Sequence, residues 1–314
     1  MSNTPGKFVV SFDCEGKWGM ADHLTPALEA RLTTAALDEI YRKLVTTLAR
    51  HDIHATFAFV GMFTLSTEML PRFLSRLPNV EFDGRPWLQA FHRAVRSDKL
   101  DGWLVPSALR RVQSDGRHEL ATHGFTHVPL AEKVVPADVF DLELSLVREL
   151  AASQGWSPRT IIFPRNQIGH VARLAGHGVV GYRELWRPDL RGMARRMGSL
   201  LLELGMGARA QKEAPGGLSE SRPIPSGYLL NFWHNRSRRL ISRARTVRRW
   251  KALLHDAAAR GGVVHLWSHP HNFLTDPGLL PVFDAILSEA AILVAEGRLL
   301  NPTQVEYCVP PARP

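Results

Sequence analysis

The sequence predicts a parallel α/β fold. Short apolar runs of strand length alternate along the chain with longer segments whose apolar residues recur at helical spacing, a pattern typical of strands joined by crossover helices. Acidic residues, arginine and histidines collect where predicted strands end, which is where parallel α/β folds form their sites. The 314 residues, 45% of them hydrophobic, are enough for one large domain.

The chain begins with a predicted strand and a helix. Lys7 to Cys14 has the composition of a buried strand and leads into an acidic string broken by glycine. Thr25 and Pro26 fit the N-cap and first-turn proline of a helix. The apolar stripe predicted after them consists of Leu37, Ile40, Leu44 and Leu48. A second strand is predicted at 54–61 and a helix at 66–78.

Two stretches break this alternation. Residues 83–106 contain proline, glycine and tryptophan without clear periodicity, and we interpret them as an inserted loop or lid. Residues 191–260 shift in composition towards arginine. Both are predicted to be insertions within a single catalytic domain that covers residues 1–314.

The later strands are predicted at 117–122, within 160–167, at 179–184 and within 261–273. Two helices between and after them carry apolar stripes. The first stripe consists of Val139, Leu142, Leu146 and Leu150, and the second of Leu280, Phe283, Leu287 and Ala290.

Composition restricts location and partners. No apolar run approaches the roughly 18 residues that span a bilayer, and the N-terminal segment lacks a secretory pattern. Cys14 and Cys308 are the only cysteines and lie far apart, so no disulfide framework is indicated. We therefore expect a cytoplasmic protein. A net charge of +9 favours acidic partners, namely phosphate-bearing substrates, anionic membrane or nucleic acid.

An arginine-rich helix is predicted over 236–254, with Asn235 as its candidate N-cap. Its expected apolar face consists of Leu240, Ala244, Val247 and Leu254. A basic amphipathic helix can contact the inner face of an anionic membrane or cradle a diphosphate, and a solvated charged face is the alternative. Nucleic acid is disfavoured as a partner because no recognition motif accompanies the charge.

A candidate metal site arises from two predicted strand ends. Asp13 and Glu15 close the first strand, while His123 and His127 stand four positions apart after the third. Two imidazoles and a carboxylate make a common catalytic zinc set with positions left for water and substrate, and cobalt, nickel, manganese or iron would also suit it. With a second carboxylate to accept a proton from water, the pattern favours amide hydrolysis assisted by one divalent metal ion.

These segments resemble, in order, the motifs of the polysaccharide deacetylases of the NodB-homology type, carbohydrate esterase family 4. SFDCEG at 11–16 resembles the first motif, and ATFAFVG at 55–61 the strand that usually follows. HELATHGFTH at 118–127 is similar to the second motif. FPRN at 163–166 resembles the third and LWSH at 266–269 the fifth, so the matches extend over nearly the whole chain.

The resemblance implies a distorted (β/α) barrel of about seven parallel strands with inserted loops. It also implies roles for individual residues. Asp13 would be the catalytic base and His269 the acid. His123 and His127 would be metal ligands, and Arg165 would orient Asp13.

The third metal ligand is open. The family's usual first motif has two adjacent aspartates, whereas Cys14 takes the second place here and Glu15 the third. Alternation along an extended chain keeps Glu15 on the same face as Asp13, so we expect Glu15 to be the ligand. A Cys14 thiolate is the alternative, because zinc also binds sulfur.

The third motif also departs from the family pattern, since Pro164 precedes Arg165 instead of following it. Asn166 and Gln167 are therefore candidates for stabilising an oxyanion through their side chains.

The other substrate-binding candidates are Trp18, Tyr182, Trp186 and His271. Arg183 and Glu184, beside Tyr182, could line the pocket or serve packing. A fourth motif is not recognisable, and Trp186 or Trp233 could supply its aromatic wall. His271 competes with His269 for the role of acid, and His269 is preferred because it completes the Leu-x-x-His match.

The sequence thus predicts an intracellular, metal-dependent hydrolase that removes an N-acyl group, expected to be acetyl, from an amino sugar. Basic charge and the missing secretion pattern favour a nucleotide- or polyprenyl-linked precursor of a surface polysaccharide, such as O-antigen or capsule. N-deformylation of a similar precursor is the nearest alternative. A non-catalytic glycan- or phosphate-binding protein on the same scaffold is the rival from another class.

Overall fold

The strands were assigned in a computed structural model that describes residues 4–184, 209–213, 221–231 and 241–309. They are β1 (Gly6–Cys14), β2 (Thr56–Phe59), β3 (Glu81–Phe82), β4 (Arg85–Pro86), β5 (Glu119–Thr122), β6 (Thr160–Ile161), β7 (Gly181–Arg183), β8 (Arg222–Ile224), β9 (Tyr228–Leu229), β10 (Val263–Ser268) and β11 (Leu299–Leu300). The main sheet has the order β8-β7-β6-β5-β2-β1-β10-β9, with β11 also paired to β1, and all of these pairs are parallel. β3 and β4 form a separate antiparallel hairpin.

The two outermost strands of the main sheet are neighbours in the chain. Only residues 225–227 separate β8 from β9, and a link of this length reaches only about 10–14 Å. The sheet therefore curls until its edges approach each other. His265 on β10 joins this closure, since its Nδ1 donates to the Pro225 carbonyl at 2.7 Å and its Nε2 accepts from the Ser11 hydroxyl at 2.8 Å. The distorted (β/α) barrel is confirmed, with more strands than the seven expected.

The helices surround this sheet. They are α1 (Pro26–Arg31), α2 (Thr34–Arg50), α3 (Leu70–Leu74), α4 (Gln89–Arg96), α5 (Pro106–Asp115), α6 (Ala137–Ser153), α7 (Arg243–Arg260), α8 (Asn272–Thr275), α9 (Leu279–Ala295) and α10 (Gln304–Cys308). The predicted stripe of α2 is buried as a whole. β1 is buried on both faces, as expected for a central strand of a parallel sheet covered by helices.

Three predictions of helical structure are corrected. The helix expected at 66–78 covers only Leu70–Leu74. The segment 83–106, expected to be a loop, contains α4, which buries only Phe91 and Ala94 and therefore leaves a weak apolar signal. In α6 the buried face includes Phe140, Glu143 and Leu144, while Val139 and Leu142 are only half-buried.

Within the described residues, the arginine-rich helix has other bounds than predicted, since it ends at Arg260 rather than at 254. α7 begins at Arg243, and the side chain of Ser242 caps it by accepting from the Arg245 backbone N–H. Asn235 lies outside the described residues. Ala244 is exposed, and the buried face consists of Thr246, Trp250, Leu253, Leu254 and Ala257. None of the helices in the described part of the chain has both the length and the apolar character required to span a bilayer.

Acid is expected to destabilise the fold through His118, which precedes β5. Its side chain is fully buried against Phe57, with the ring centroids 5.3 Å apart. Burial lowers the pKa of His118 from 6.5 to about 4. The unfolded chain binds this proton more readily than the folded chain does. The contribution of His118 to the free energy of unfolding is therefore fully present above about pH 6.5 and is lost as the pH falls towards 4, a change on the order of 2–3 kcal/mol.

The measurement is urea unfolding at intervals from pH 7 to pH 4.5. His118→Gln should flatten the acid slope of the unfolding free energy relative to wild type. The half-exposed His255, which pairs with Glu289 on the surface, supplies the matched control His255→Gln. Parallel slopes for wild type and His118→Gln would contradict the assignment.

Candidate active site

The polar residues of the site lie at one rim of the sheet, where the carboxyl ends of parallel strands meet. Asp13 and Glu15 lie at the end of β1, and Arg183 ends β7. His123 follows β5, and His269 follows β10. The order of the strands thus brings together residues that are up to 256 positions apart in the chain, between Asp13 and His269.

Glu15, His123 and His127 converge within this rim. Oε2 of Glu15 lies 2.7 Å from Nε2 of His127 and 3.3 Å from Nε2 of His123. The two Nε2 atoms are 3.2 Å apart. All three side chains are buried.

This donor set fits one divalent ion. Nδ1 of His123 donates to the Ile162 carbonyl at 2.7 Å, which leaves the lone pair on Nε2 directed at Glu15. Atoms bound to one tetrahedral zinc at about 2.0–2.1 Å lie about 3.3 Å from each other, close to the observed separations. Burial lowers the pKa of His127, so its ring is neutral and offers a lone pair at neutral pH. Charges and hydrogen bonds from the histidines outweigh burial and hold the pKa of Glu15 well below its usual range.

Between the two open candidates for the third ligand, the structure places Glu15 beside the histidines. Cys14 is fully buried on the other side of the chain, where its Sγ lies 3.5 Å from the Phe12 carbonyl. The space for the glutamate depends on Gly19, because a Cβ there would lie 2.0 Å from Oε1 of Glu15. Burial raises the pKa of the Cys14 thiol well above its usual range, which disfavours a thiolate.

Glu143 on α6 holds the loop that carries His127. Its Oε2 accepts the backbone N–H groups of Phe125 and Thr126 at 2.7 and 3.0 Å, and its Oε1 accepts the Thr126 hydroxyl at 2.6 Å. His127 itself has a φ of 60°, a left-handed conformation that needs such support. Glu143 was not among the predicted site residues, although a glutamate within a helix of otherwise apolar core positions is a usable signal.

Asp13 is paired with Arg183. The guanidinium donates from Nη1 to Oδ1 and from Nη2 to Oδ2, both at 2.7 Å, and both side chains are almost fully buried. The arginine also stacks on the Trp267 ring at 4.2 Å. Burial raises the pKa of Asp13, but the Arg183 charge and hydrogen bonds together with nearby histidines outweigh it, so the carboxylate is ionised with a lowered pKa.

The prediction that Arg165 orients Asp13 is therefore wrong. Arg165 has a φ of 55°, and its guanidinium donates to Asp22 at 2.5 Å and lies over the Trp87 ring at 5.1 Å. The left-handed backbone at this position turns the side chain away from Asp13. The third motif predicted that an arginine would bind Asp13. In the structure that arginine is Arg183, at the end of β7, rather than the arginine of the motif.

Residues 32–168 match the family model for polysaccharide deacetylase. This is the family that the motifs of the sequence resemble. A solved structure described as a polysaccharide deacetylase from Mycobacterium smegmatis is 16% identical over 98% of this chain and 90% of its own, with a TM-score of 0.61. Another, from Pseudomonas aeruginosa PAO1, is 12% identical over 96% and 89%, with a TM-score of 0.56. At these identities the two structures show the fold alone. None of the curated proteins matches this chain.

The match to this family model supports the prediction that the protein is an enzyme, a hydrolase of the carbohydrate deacetylase type. The resemblance stated from the motifs is thereby confirmed. The roles of the individual residues remain predictions, which the geometry of the site supports.

His269, predicted to be the acid, lies close to both carboxylates of the site. Its Nε2 is 3.8 Å from Oδ2 of Asp13 and 3.4 Å from Oε1 of Glu15. About a fifth of the side chain is exposed, so substrate can reach the ring. His271 lies beside it, with ring centroids 5.0 Å apart, and is more deeply buried.

Among the substrate-binding candidates, Asn166 and Gln167 lie near the site. Asn166 Oδ1 accepts from Nη2 of Arg183 at 2.9 Å, which ties the third motif to the Asp13 pair. Gln167 follows Asn166 directly, and its Oε1 is buried without a hydrogen-bond partner among the described residues.

The structure does not bring Trp18 and Tyr182 to the centre of the site. Trp18 is fully buried, donates to the Trp103 carbonyl at 2.9 Å and packs on Phe91, so it is a core residue and the predicted substrate contact is wrong. Tyr182 precedes Arg183 on β7, and alternation turns it to the opposite face of the strand from the arginine. Trp186 and Trp233 lie outside the described residues.

A cavity of about 330 Å³ has Trp87 in its wall. The segment 83–106 supplies most of its wall, which includes Arg85, Trp87 and Arg93 together with Phe82. The Trp87 ring lies 6.1 Å from the His127 ring, and its Nε1 donates to the Thr126 carbonyl at 2.9 Å. The inserted segment is thus attached directly to the loop that carries His127.

Removing the arginine beside Asp13 should therefore cost more activity than removing the motif arginine. Arg183→Met is expected to lower kcat/KM by about 100-fold or more, because Asp13 loses its orientation and its bidentate partner. Arg165→Met is expected to lower it by less than about 10-fold. Steady-state kinetics on both variants checks this. Equal losses, or a larger loss in Arg165→Met, would contradict the assignment.

Proposed function

We propose that this protein is a metal-dependent deacetylase that removes the N-acetyl group of an amino sugar in an intracellular, nucleotide- or polyprenyl-linked precursor of a surface polysaccharide. The proposed hydrolysis is supported above all by the triad of Glu15, His123 and His127 beside the Asp13–Arg183 pair. The donor set suits zinc. A divalent ion bound there supplies Lewis acidity, which polarises a carbonyl and lowers the pKa of water.

Asp13 acts as the base. The Arg183 fork fixes both of its oxygens, and its ionised state at neutral pH leaves it able to accept a proton from the attacking water. The bond from the water oxygen to the acyl carbon forms as that proton moves to Asp13.

His269 acts as the acid. Its Nε2 lies 3.8 Å from Oδ2 of Asp13, so the base and the acid can both contact one bound amide group. The imidazolium donates a proton to the sugar nitrogen while the carbon–nitrogen bond breaks. Acetate and the free amino sugar are the products. Asn166 and Gln167 bind the substrate from the third motif, beside Arg183.

Charge supports the phosphate-linked substrate. The net charge is +9, and Arg85 and Arg93 line the cavity that also has Trp87 in its wall. Clustered arginine favours phosphate groups because its fork matches their geometry. We place the enzyme in the cytoplasm, where such carriers are assembled. The exposed arginine face of α7 is the proposed contact with anionic membrane; the predicted residues 236–240 lie outside the described part of the chain.

The test is mass spectrometry of acyl release from a panel of N-acetyl and N-formyl amino sugars, each free, nucleotide-linked or polyprenyl-phosphate-linked. Loss of an acetyl group from a phosphate-linked sugar, abolished by chelator and restored by zinc, is expected. Release of formyl alone would replace the proposal with deformylation. No release from any member in the presence of metal would favour a non-catalytic binding protein.

A further inference from the structure

The two carboxylate oxygens of Glu15 face different pairs of histidines. Oε2 faces His123 and His127 at 3.3 and 2.7 Å. Oε1 lies 3.4 Å from Nε2 of His269. An ionised carboxylate carries lone pairs on both oxygens, so one glutamate can bind two ions at once.

His271 completes a second donor set on the Oε1 side. Ligand atoms of Glu15, His269 and His271 all lie within 4.8 Å of one another. His271 is 8% exposed, and its Nδ1 is buried without a hydrogen-bond partner among the described residues. A buried polar nitrogen without a hydrogen-bond partner is costly, which makes the His271 ring a candidate for a bound ligand.

We propose that Glu15, His269 and His271 form a second divalent-cation site, which shares Glu15 with the site of His123 and His127. Biological two-metal centres hold ions about 3.5–4 Å apart, a separation that one bridging carboxylate spans. The second ion binds more weakly than the first. It shares its only carboxylate with another cation, and Arg183 already occupies both oxygens of Asp13, so repulsion between the ions is poorly offset.

Occupation of the second site has a regulatory consequence that rests on the proposed function. A cation on His269 takes the lone pair that would carry the proton for the leaving amine. Low metal concentration therefore activates the deacetylase, and higher concentration inhibits it. The solvent-exposed edge of His269 gives the second ion a route from solution.

Equilibrium dialysis against zinc alone tests the site without substrate. Chelator-treated full-length protein is titrated with zinc, and bound metal is measured by mass spectrometry. Wild type is expected to bind two zinc ions per chain in a tight and a weaker step. His271→Ala and His269→Gln should each retain the tight step and lose the weaker one, whereas His123→Ala should lose the tight step.

Matched controls separate this site from adventitious zinc binding. His255→Ala removes a surface histidine that contacts Glu289 and should leave both steps intact. If wild type binds a single zinc at every concentration, or if the weaker step survives in both His271→Ala and His269→Gln, the second site is excluded. Should His271→Ala fail to fold, the partly exposed His269→Gln decides the question alone.

Activity measurements separate the failure of this inference from the failure of the proposed function. For a substrate that the enzyme hydrolyses, activity at high zinc is compared with activity at low zinc for each protein separately. Excess zinc should inhibit wild type but not His271→Ala. If no substrate is hydrolysed, the dialysis result still stands. If hydrolysis is found but the weaker zinc step is missing, only the second site fails.

Discussion

Replacing Glu15 by glutamine is expected to leave the purified protein without stoichiometric metal. The amide cannot supply the negative charge that Glu15 places 2.7 Å from His127, and an amide binds a divalent ion far less well than a carboxylate. Mutation of residues that only hydrogen-bond to a metal ligand typically lowers metal affinity by about 10–100-fold. Replacing Glu15, which is itself a ligand, should therefore lower the affinity by more than about 100-fold. Measurement of bound zinc after dialysis, together with deacetylase activity, checks both consequences.

Cys14→Ser is the matched control, because it changes the adjacent residue and the competing ligand. We expect it to retain the metal, since the buried thiol lies against the Phe12 carbonyl rather than the histidines. Retained metal in Glu15→Gln combined with loss in Cys14→Ser would reverse the assignment of the third ligand.

Asp13→Asn is expected to lower kcat by about 10²–10⁴-fold while the metal stays bound. The substitution keeps the shape of the side chain but removes the site that accepts a proton. Asp13 is held by Arg183 and is not one of the triad of candidate ligands, so metal content should be close to wild type. Single-turnover kinetics and metal analysis of the same preparation test the two halves of this expectation.

The control for this variant is Asp284→Asn, on the surface of α9, where the aspartate pairs with Arg50 and His51. It should behave like wild type. An Asp13→Asn protein with wild-type rates would remove the base from the proposed mechanism and would favour a non-catalytic protein on this scaffold.

Local patterns in the sequence were sufficient for the architecture. The apolar run of β1 and the stripe of α2 each report on their own element, because burial of one face imposes a period on nearby residues. Polar residues at the ends of β1, β5 and β10 indicated a common rim, since parallel strands place their carboxyl ends together. The histidine pair and the acids were found in this way.

The partner of Asp13 could not be found from local patterns. Arg165 has the right neighbours in sequence, but two successive left-handed residues, Arg165 and Asn166, redirect the chain there. Arg183 reaches Asp13 because β7 and β1 curl around the same rim, a relation set by the closure of the whole sheet.

The sequence by itself determined the fold class, the rim on which the site lies, and the residue types that compose it, because each depends on spacing within one element. Only the tertiary structure decided that Glu15 rather than Cys14 faces His123 and His127, and that Glu143 supports their loop from α6. These choices depend on the direction of single side chains across long separations in sequence. Such directions follow from packing and backbone conformation, which periodicity does not encode.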